Sequence, residues 1–439
     1  MKHLAFPDGV TRDDLVAWYR TMRARTRSLF DLVTPDSYYE RPIALRNPIV
    51  FYEGHIPAFA VNTLLKLAMK QPGIDEQYER IFERGIDPED ETAVGSPTDV
   101  WPSRRAVQAY GTEADARIEQ ALASGVLEDD GVPQLRGGEA ALTILEHELM
   151  HQETLLYMFH NLPYDRKVVQ AYDRKVVQAY DRKVAPAAKT VEARTGSIDH
   201  SAVRIPAGRV TLGAPRDGAF GWDNEFPHLE VHVDAFEIGR HNVTNGDWLA
   251  YMKATGAPAP HFWVEHEGEW RWRGMFALLP LNLDAPVYVT HDEAARYAAH
   301  HGKRLPSEAE YHRAAYGTPG GEERAQPWGD APADATRGNF DFAAWDPVSV
   351  GSFPEGASAW GVHDLIGNGW EWTSTVFDGF PGFAAMPSYA LYSTDFFDGA
   401  HYVIKGASPA TARQLVRRPF RNWFRSNYPY VYATFRCVR

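Results

Sequence analysis

The chain changes character near Ile198, and that break limits what it can fold into. Before it, apolar residues recur at close to helical spacing. After it, short β-like runs alternate with Gly, Pro, Asn and Asp turns. At 439 residues the chain is also too long for one ordinary core, so two or three domains are expected.

In the first part, residues 13–30 place Leu15, Trp18, Tyr19, Met22 and Leu29 near a 3.6 period, with Thr11 or Asp13 as cap and Pro35 as stop. A second helix is expected to include His55 and run through Phe59, Leu64, Leu65 and Leu67 to Met69, with Pro57 in its first turn or kinking it. Pro102-Ser103 opens a third over 104–127, and a fourth runs from Gly138 or Glu139 to His160. Four such helices make a bundle, whose interior is a common place to build a metal site. An octapeptide beginning at Tyr164 recurs at Tyr172 and starts again at Tyr180. That period matches no solenoid class, so it reads as a duplication in a connector that extends a helix or linker. Beyond it, strands are expected near 203–206, 210–213, 229–233 and 236–239, with helices near 244–253 and 290–301. The result is an α+β chain: a bundle over 1–163, a repeat-containing linker over 164–197, and a loop-rich domain over 198–439.

Composition excludes several functions. A formal net charge of −13 argues against a general nucleic-acid or anionic-membrane binder. The only cysteine, Cys437, rules out an intramolecular disulfide and a cysteine-based zinc site. No apolar run is long enough to span a membrane, and the first residues carry no signal-peptide core. A cytoplasmic enzyme acting on small molecules is the expectation.

The chemistry concentrates in Leu145-Glu146-His147-Glu148-Leu149-Met150-His151. His147 and His151 are one helical turn apart on one face and can offer neutral imidazoles to one metal ion. The same letters spell H-E-x-x-H, in which Glu148 would be the general base of a zinc hydrolase. Either histidine can equally be a hydrogen-bonded core or surface residue. His55, in an aromatic and apolar setting on another helix, would complete a three-histidine face. Such a face suits Fe(II) with open coordination positions.

The order of further motifs carries a resemblance. The helical part resembles the DinB-type bundle. Ile205-Pro206-Ala207-Gly208, the run from Lys303 to Glu310, Gly367-Asn368-Gly369-Trp370-Glu371-Trp372-Thr373 and the final Phe435-Arg436 resemble the formylglycine-generating-enzyme domain, a C-type-lectin-like fold. This pairing is the arrangement of the ergothioneine-biosynthesis sulfoxide synthases. The resemblance implies a non-haem Fe(II) held by His55, His147 and His151. It implies Tyr389 as a proton or electron donor during oxygen activation, and Tyr392, Asn422 and Trp423 as contacts to hercynine, N-trimethylated histidine. The indole of Trp423 suits a quaternary ammonium. The domain's oxidase namesake needs a cysteine pair for copper, which this chain lacks, and Cys437 reads as packing.

Three departures bear on the second substrate. Met150 stands where a typical sulfoxide synthase carries a substrate-touching glutamine. No acidic residue follows Trp423, and the helix around His55 departs from the usual Trp-x-x-x-His pattern. These resemble the selenoneine synthase branch, which joins a selenosugar to hercynine; the alternative is a cysteine-containing thiol, as in ergothioneine synthesis. Arg104 and Arg105 occupy positions where related enzymes bind an anionic thiol substrate, or they form a solvated helix start. The expected small molecules are therefore hercynine, O₂ and a selenosugar or thiol. A zinc hydrolase and a non-catalytic ligand-binding module are the remoter alternatives.

Overall fold

The structure is a computed structural model and describes residues 10–83, 101–168, 198–217 and 219–439. By its contacts the chain divides into two compact units. The first comprises the described residues up to Val168 with Asp217–Phe220 and Met386–Ala390. The second comprises the described residues from Ile198 to Arg216 with Gly221–Ala385 and Leu391–Arg439.

The first unit is helical. Helix α1 (Arg12–Phe30) starts at Thr11, whose hydroxyl accepts from the Asp14 amide while the Asp14 carboxylate accepts from the Thr11 amide, a reciprocal cap. Helix α2 (Ile49–Ala60) continues as a wider π-type turn over Val61–Ala68. It begins at Ile49, earlier than expected, so Pro57 lies inside the helix rather than in its first turn. A short helix α3 (Glu76–Ile81), capped by Asp75, was not legible in the apolar pattern. Helix α4 (Arg104–Ser124) is capped by Ser103 and stops at Gly125, and α5 (Glu139–His160) follows the left-handed Gly138. The long helices neighbour each other in a closed ring, α1 to α4, α4 to α2, α2 to α5 and α5 to α1, which makes the four-helix bundle.

Within the bundle a polar network ties three helices together. Asp115 on α4 accepts from Tyr19 Oη at 2.7 Å and Arg23 Nε at 2.7 Å, both on α1. Glu148 on α5 accepts from Arg23 Nη1 at 3.0 Å and Thr26 Oγ1 at 2.5 Å, and Gln152 donates to Thr26 Oγ1 at 3.0 Å. All of these groups are buried, so removing one leaves another polar group without its partner. Of the octapeptide repeat only residues up to Val168 are described: a turn over Tyr164–Arg166, then Lys167 bridged to Val33. The expected helix or linker beyond it lies outside the described residues.

The second unit is built from short sheets. Strand β1 (Ala202–Ile205) pairs antiparallel with β4 (Phe236–Gly239), and β2 (Gly208–Leu212) with β3 (Leu229–Val233). A three-stranded meander follows, β5 (Trp263–His266), β6 (Glu269–Arg273) and β7 (Leu278–Pro280). The last sheet has the order β10 (Asn422–Arg425), β9 (His401–Ala407), β8 (Gly369–Val376), β11 (Ala433–Thr434), and β11 alone is parallel to its neighbour. Helices α6 (Asn245–Thr255), α7 (His291–His300) and α8 (Glu308–Tyr316) each start at a Ser or Thr cap closed by an acid three residues on. Alternation along β1 to β4 turns Val203, Ile205, Val210, Val233, Phe236 and Ile238 into one core with Tyr311 and Ala315 of α8.

The motifs that carried the family resemblance hold this unit together. Glu371 and Arg436 form a bidentate ion pair at 2.6 Å with neither side chain exposed. Arg304 pairs with Glu310 at 2.6 Å. Asn368, in the left-handed region at φ 64°, accepts from the Val348 amide and donates to its carbonyl, both at 2.8 Å.

Cys437 is buried, and burial pushes its thiol up to about 12. At pH 8 a thiol so shifted holds roughly a thousandth of the thiolate of a free cysteine. Ellman's reagent is expected to react with the native protein at pH 8 far more slowly than with the denatured chain. Equal rates would show an exposed thiol. Because the unfolded thiol ionises near 9.0 and the folded one higher, its contribution to stability falls as pH rises above about 9. Among the described residues, no helix is long and apolar enough to cross a membrane.

Candidate metal centre

Helix α5 carries His147 and His151 one turn apart, and their Nε2 atoms lie 3.1 Å from each other. His55, on the neighbouring α2, brings its ring centroid to 5.1 Å from that of His147 and 4.9 Å from that of His151. One ligand-type atom from each of the three lies within 4.8 Å of the others. No other group of three or more His, Cys, Asp or Glu with this convergence occurs among the described residues. All of these parts lie in the first unit.

The surroundings follow from helical spacing. Phe51 and Phe59 stand four residues before and after His55 on α2. Phe51 stacks on His55 at 4.9 Å, and Phe59 stacks on His147 at 3.5 Å with an 11° tilt. His55 Nδ1 lies 2.8 Å from the Phe82 carbonyl, just past the end of α3. Donation there keeps the proton on Nδ1 and leaves Nε2 as the lone-pair atom. Gly54 makes room for this contact, because a Cβ at that position would meet the Phe82 ring at 2.4 Å. Burial holds the His151 imidazole well below its ordinary range, and His55 and the Arg46 guanidinium act in the same sense.

The donor set fits a metal ion. Two nitrogen ligands at about 2.1 Å from one ion and at right angles sit about 3 Å apart, which matches the His147–His151 separation. Three neutral imidazoles without a carboxylate suit a borderline transition metal and leave further positions on it free.

Glu148 is not placed for the hydrolase role. Its carboxylate is engaged by Arg23 and Thr26 of α1 inside the bundle network. Spelling alone could not reveal that the middle of H-E-x-x-H is a structural ion pair. His160 is buried, and its carbonyl accepts from Lys167 Nζ at 3.4 Å.

Tyr389 belongs to the first unit, in the segment Met386–Ala390. Its ring centroid lies 5.1 Å from that of Phe59 and 6.2 Å from that of His147. Met150 is half-buried on α5 directly before His151. Arg104 is tied to the Phe30 carbonyl at 3.1 Å and to Glu53 at 3.4 Å, while Arg105 is exposed on the first turn of α4. Arg104 therefore links the start of α4 to the end of α1 and to α2.

Tyr392, Asn422 and Trp423 lie in the second unit. Trp423 stacks on Phe377 at 4.0 Å and meets Tyr392 at 5.2 Å and Phe396 at 5.4 Å. Trp222 stacks on Tyr392 at 4.0 Å. Asn422 Oδ1 accepts from the Trp423 amide at 2.8 Å. The aromatic cluster is larger than the sequence indicated, because Phe377, Phe396 and Trp222 come from distant loops without periodicity. Arg417 and Arg421, which precede Asn422-Trp423 in sequence, pair with Glu225 at 2.5 Å and Glu308 at 3.0 Å.

Comparison with known proteins agrees with both units. Residues 19–155 match the DinB superfamily, and residues 187–439 match the sulfatase-modifying factor enzyme 1-like domain. Ergothioneine biosynthesis protein 1 of Neurospora crassa is 29% identical over 98% of this chain and 57% of its own length. Hercynine oxygenase of Mycolicibacterium thermoresistibile is 38% identical over 47% of this chain and 51% of its own. The chain thus spans little more than half the length of these two relatives. Hercynine oxygenase of Mycolicibacterium smegmatis is 33% identical over 67% of this chain and 70% of its own. Among solved structures, PvdO from Pseudomonas aeruginosa is 26% identical with a TM-score of 0.40, over 54% of this chain and 93% of its own. With a DinB-type bundle followed by a sulfatase-modifying-factor-like domain, the chain belongs to the family of the ergothioneine-biosynthesis sulfoxide synthases.

Proposed function

We propose that this chain is an Fe(II)- and O₂-dependent enzyme that joins a selenosugar to hercynine at the imidazole carbon between the two ring nitrogens. In that reaction the C–H and Se–H bonds are lost, a carbon–selenium bond forms, and the two electrons and two protons released are taken up by O₂. The observation that carries the reading is the three-histidine face with Tyr389 beside it, in a chain of this family. His55, His147 and His151 would hold the iron. The iron would supply Lewis acidity and open coordination positions.

The chain's own residues do the rest. Phe51 and Phe59 cover the rings of His55 and His147 and keep water from them. Tyr389 supplies a proton or electron from its hydroxyl. Tyr392, Trp423 and Phe396 offer the aromatic surfaces that a trimethylammonium group prefers, and Asn422 offers an amide to the polar end of hercynine. Met150 supports the selenium donor, since a thioether replaces a hydrogen-bonding side chain beside His151. The names of the relatives favour a second reading with a cysteine-containing thiol as donor. Arg105 remains available for an anionic donor of that kind.

The test is anaerobic loading with Fe(II), then O₂ uptake and mass spectrometry with hercynine and either a selenosugar or γ-glutamylcysteine. A selenium adduct supports the first donor and a sulfoxide the second. No uptake with either, together with tight zinc binding, would reject the oxygenase reading. The Tyr389→Phe variant is expected to keep its iron and to lose about 100-fold in product formation, or to change the product. An unchanged rate and product would remove Tyr389 from the chemistry.

A further inference from the structure

Tyr389 is nearly 240 residues from His151 in sequence, and its segment Met386–Ala390 has no strand or helix to hold it. Yet this short stretch packs with the bundle as part of the first unit. Its backbone makes a long-range hydrogen bond that bears on the placement. The Ser388 amide donates to Glu139 Oε1 at 2.8 Å. Glu139 is the first residue of α5, the helix that carries His147 and His151.

We infer that Glu139 is a positioning residue, which fixes Tyr389 relative to the three-histidine face by clasping the amide next to it. This rests on the role proposed for Tyr389. The geometry gives the segment two anchors on the metal-bearing scaffold. One is the clasp at the start of α5. The other is the ring contact of Tyr389 with Phe59, which itself stacks on His147. Ser388 is 4% exposed, so an amide there without an acceptor would carry a desolvation penalty. A carboxylate acceptor makes the bond charge-assisted, about twice as strong as a neutral one. The carboxylate also sits at the positive end of the α5 dipole, where its charge is favoured. Gly137 and Gly138 before it are both left-handed, at φ 59° and 72°. That pair of glycines lets the chain turn into α5 with Glu139 at its first position.

The test compares Glu139→Ala and Glu139→Gln in the full chain. Glutamine removes the charge and keeps the acceptor oxygen, so it separates the clasp from the helix-dipole effect. The first readout is amide hydrogen exchange of the peptide containing residues 386–390, measured on metal-free protein. Glu139→Ala is expected to raise that exchange at least tenfold without altering exchange in α2 or α5, and Glu139→Gln to raise it by a clearly smaller factor. The second readout is product formation with iron bound. Glu139→Ala is expected to lower it about tenfold in the wild-type background and not at all in a Tyr389→Phe background, with iron content unchanged.

Unaltered exchange in Glu139→Ala would overturn the inference. So would an equal loss of rate in both backgrounds, which would mean that Glu139 acts elsewhere. A damaged Tyr389→Phe beside a fully active Glu139→Ala rejects the positioning role alone. A Tyr389→Phe enzyme with wild-type rate and product rejects the tyrosine's role and this inference with it.

Discussion

The His151→Ala variant is expected to lose Fe(II) affinity by about 100-fold or more and to show no O₂ uptake, while the bundle stays folded. Second-sphere partners of a metal ligand already cost 10- to 100-fold when removed, so loss of a ligand sets a higher floor. Among the described residues three protein donors converge here, and two would remain. The fold should survive, because the polar groups that bind α1 to α5 are Glu148 and Gln152 rather than His151. Glu148→Gln is the opposing control. It breaks the ion pair with Arg23 and is expected to lower bundle stability by about 1–3 kcal/mol while keeping iron and turnover. A zinc hydrolase reverses the catalytic outcome: Glu148→Gln would abolish its chemistry, with the same loss of stability. Iron content by mass spectrometry, oxygen-electrode traces and urea unfolding of both variants separate the two. Stoichiometric iron and turnover in His151→Ala would remove it from the ligand set.

How much of this site was legible depended on how local its causes are. The pairing of His147 with His151 is a property of helix geometry alone, and it could be read from spacing. So could the aromatic setting of His55, since Phe51 and Phe59 follow the same four-residue step. Adding His55 to the set needed either its neighbouring helix or a family resemblance, because no pattern in one helix names its partner. The Phe82 carbonyl that orients His55 was invisible for another reason. It follows a six-residue helix whose burial rests on few apolar positions, too short to show a period. The H-E-x-x-H spelling left the hydrolase reading open as a remote alternative, because no motif shows that Arg23 and Thr26 of another helix engage Glu148. Pro57 misplaced the start of α2, since a proline suits a first turn but is tolerated within a helix when neighbouring groups accommodate the missing amide. In the second unit the strands over 229–233 and 236–239 were legible from alternation, whereas Phe377 and Phe396 meet Trp423 through loops that no periodicity predicts.

Arg436→Ala is expected to be among the most damaging single changes in the second unit, lowering its stability by about 3–5 kcal/mol. The guanidinium has no exposed surface and is bidentate with the equally buried Glu371. It also donates to the carbonyls of Gly239 at 3.0 Å and His363 at 2.9 Å, so it joins the end of β4, strand β8 and the loop before β8. Alanine leaves an uncompensated buried carboxylate, three carbonyls (Gly239, Arg240 and His363) without this donor, and a cavity. The three costs have the same sign. Replacing both charges, as in Glu371→Leu with Arg436→Met, tests which cost dominates. If the lone carboxylate were the whole penalty, the double variant would regain wild-type stability, as buried ion pairs exchanged for apolar groups often do. The carbonyls of Gly239 and His363 would still lack a donor, each at about 1–3 kcal/mol. Partial recovery is therefore expected, with the double variant lying between Arg436→Ala and wild type in urea midpoint. Full recovery would show that Arg436 serves only to neutralise Glu371. A single variant within about 1 kcal/mol of wild type would mean that this staple does not hold the unit together.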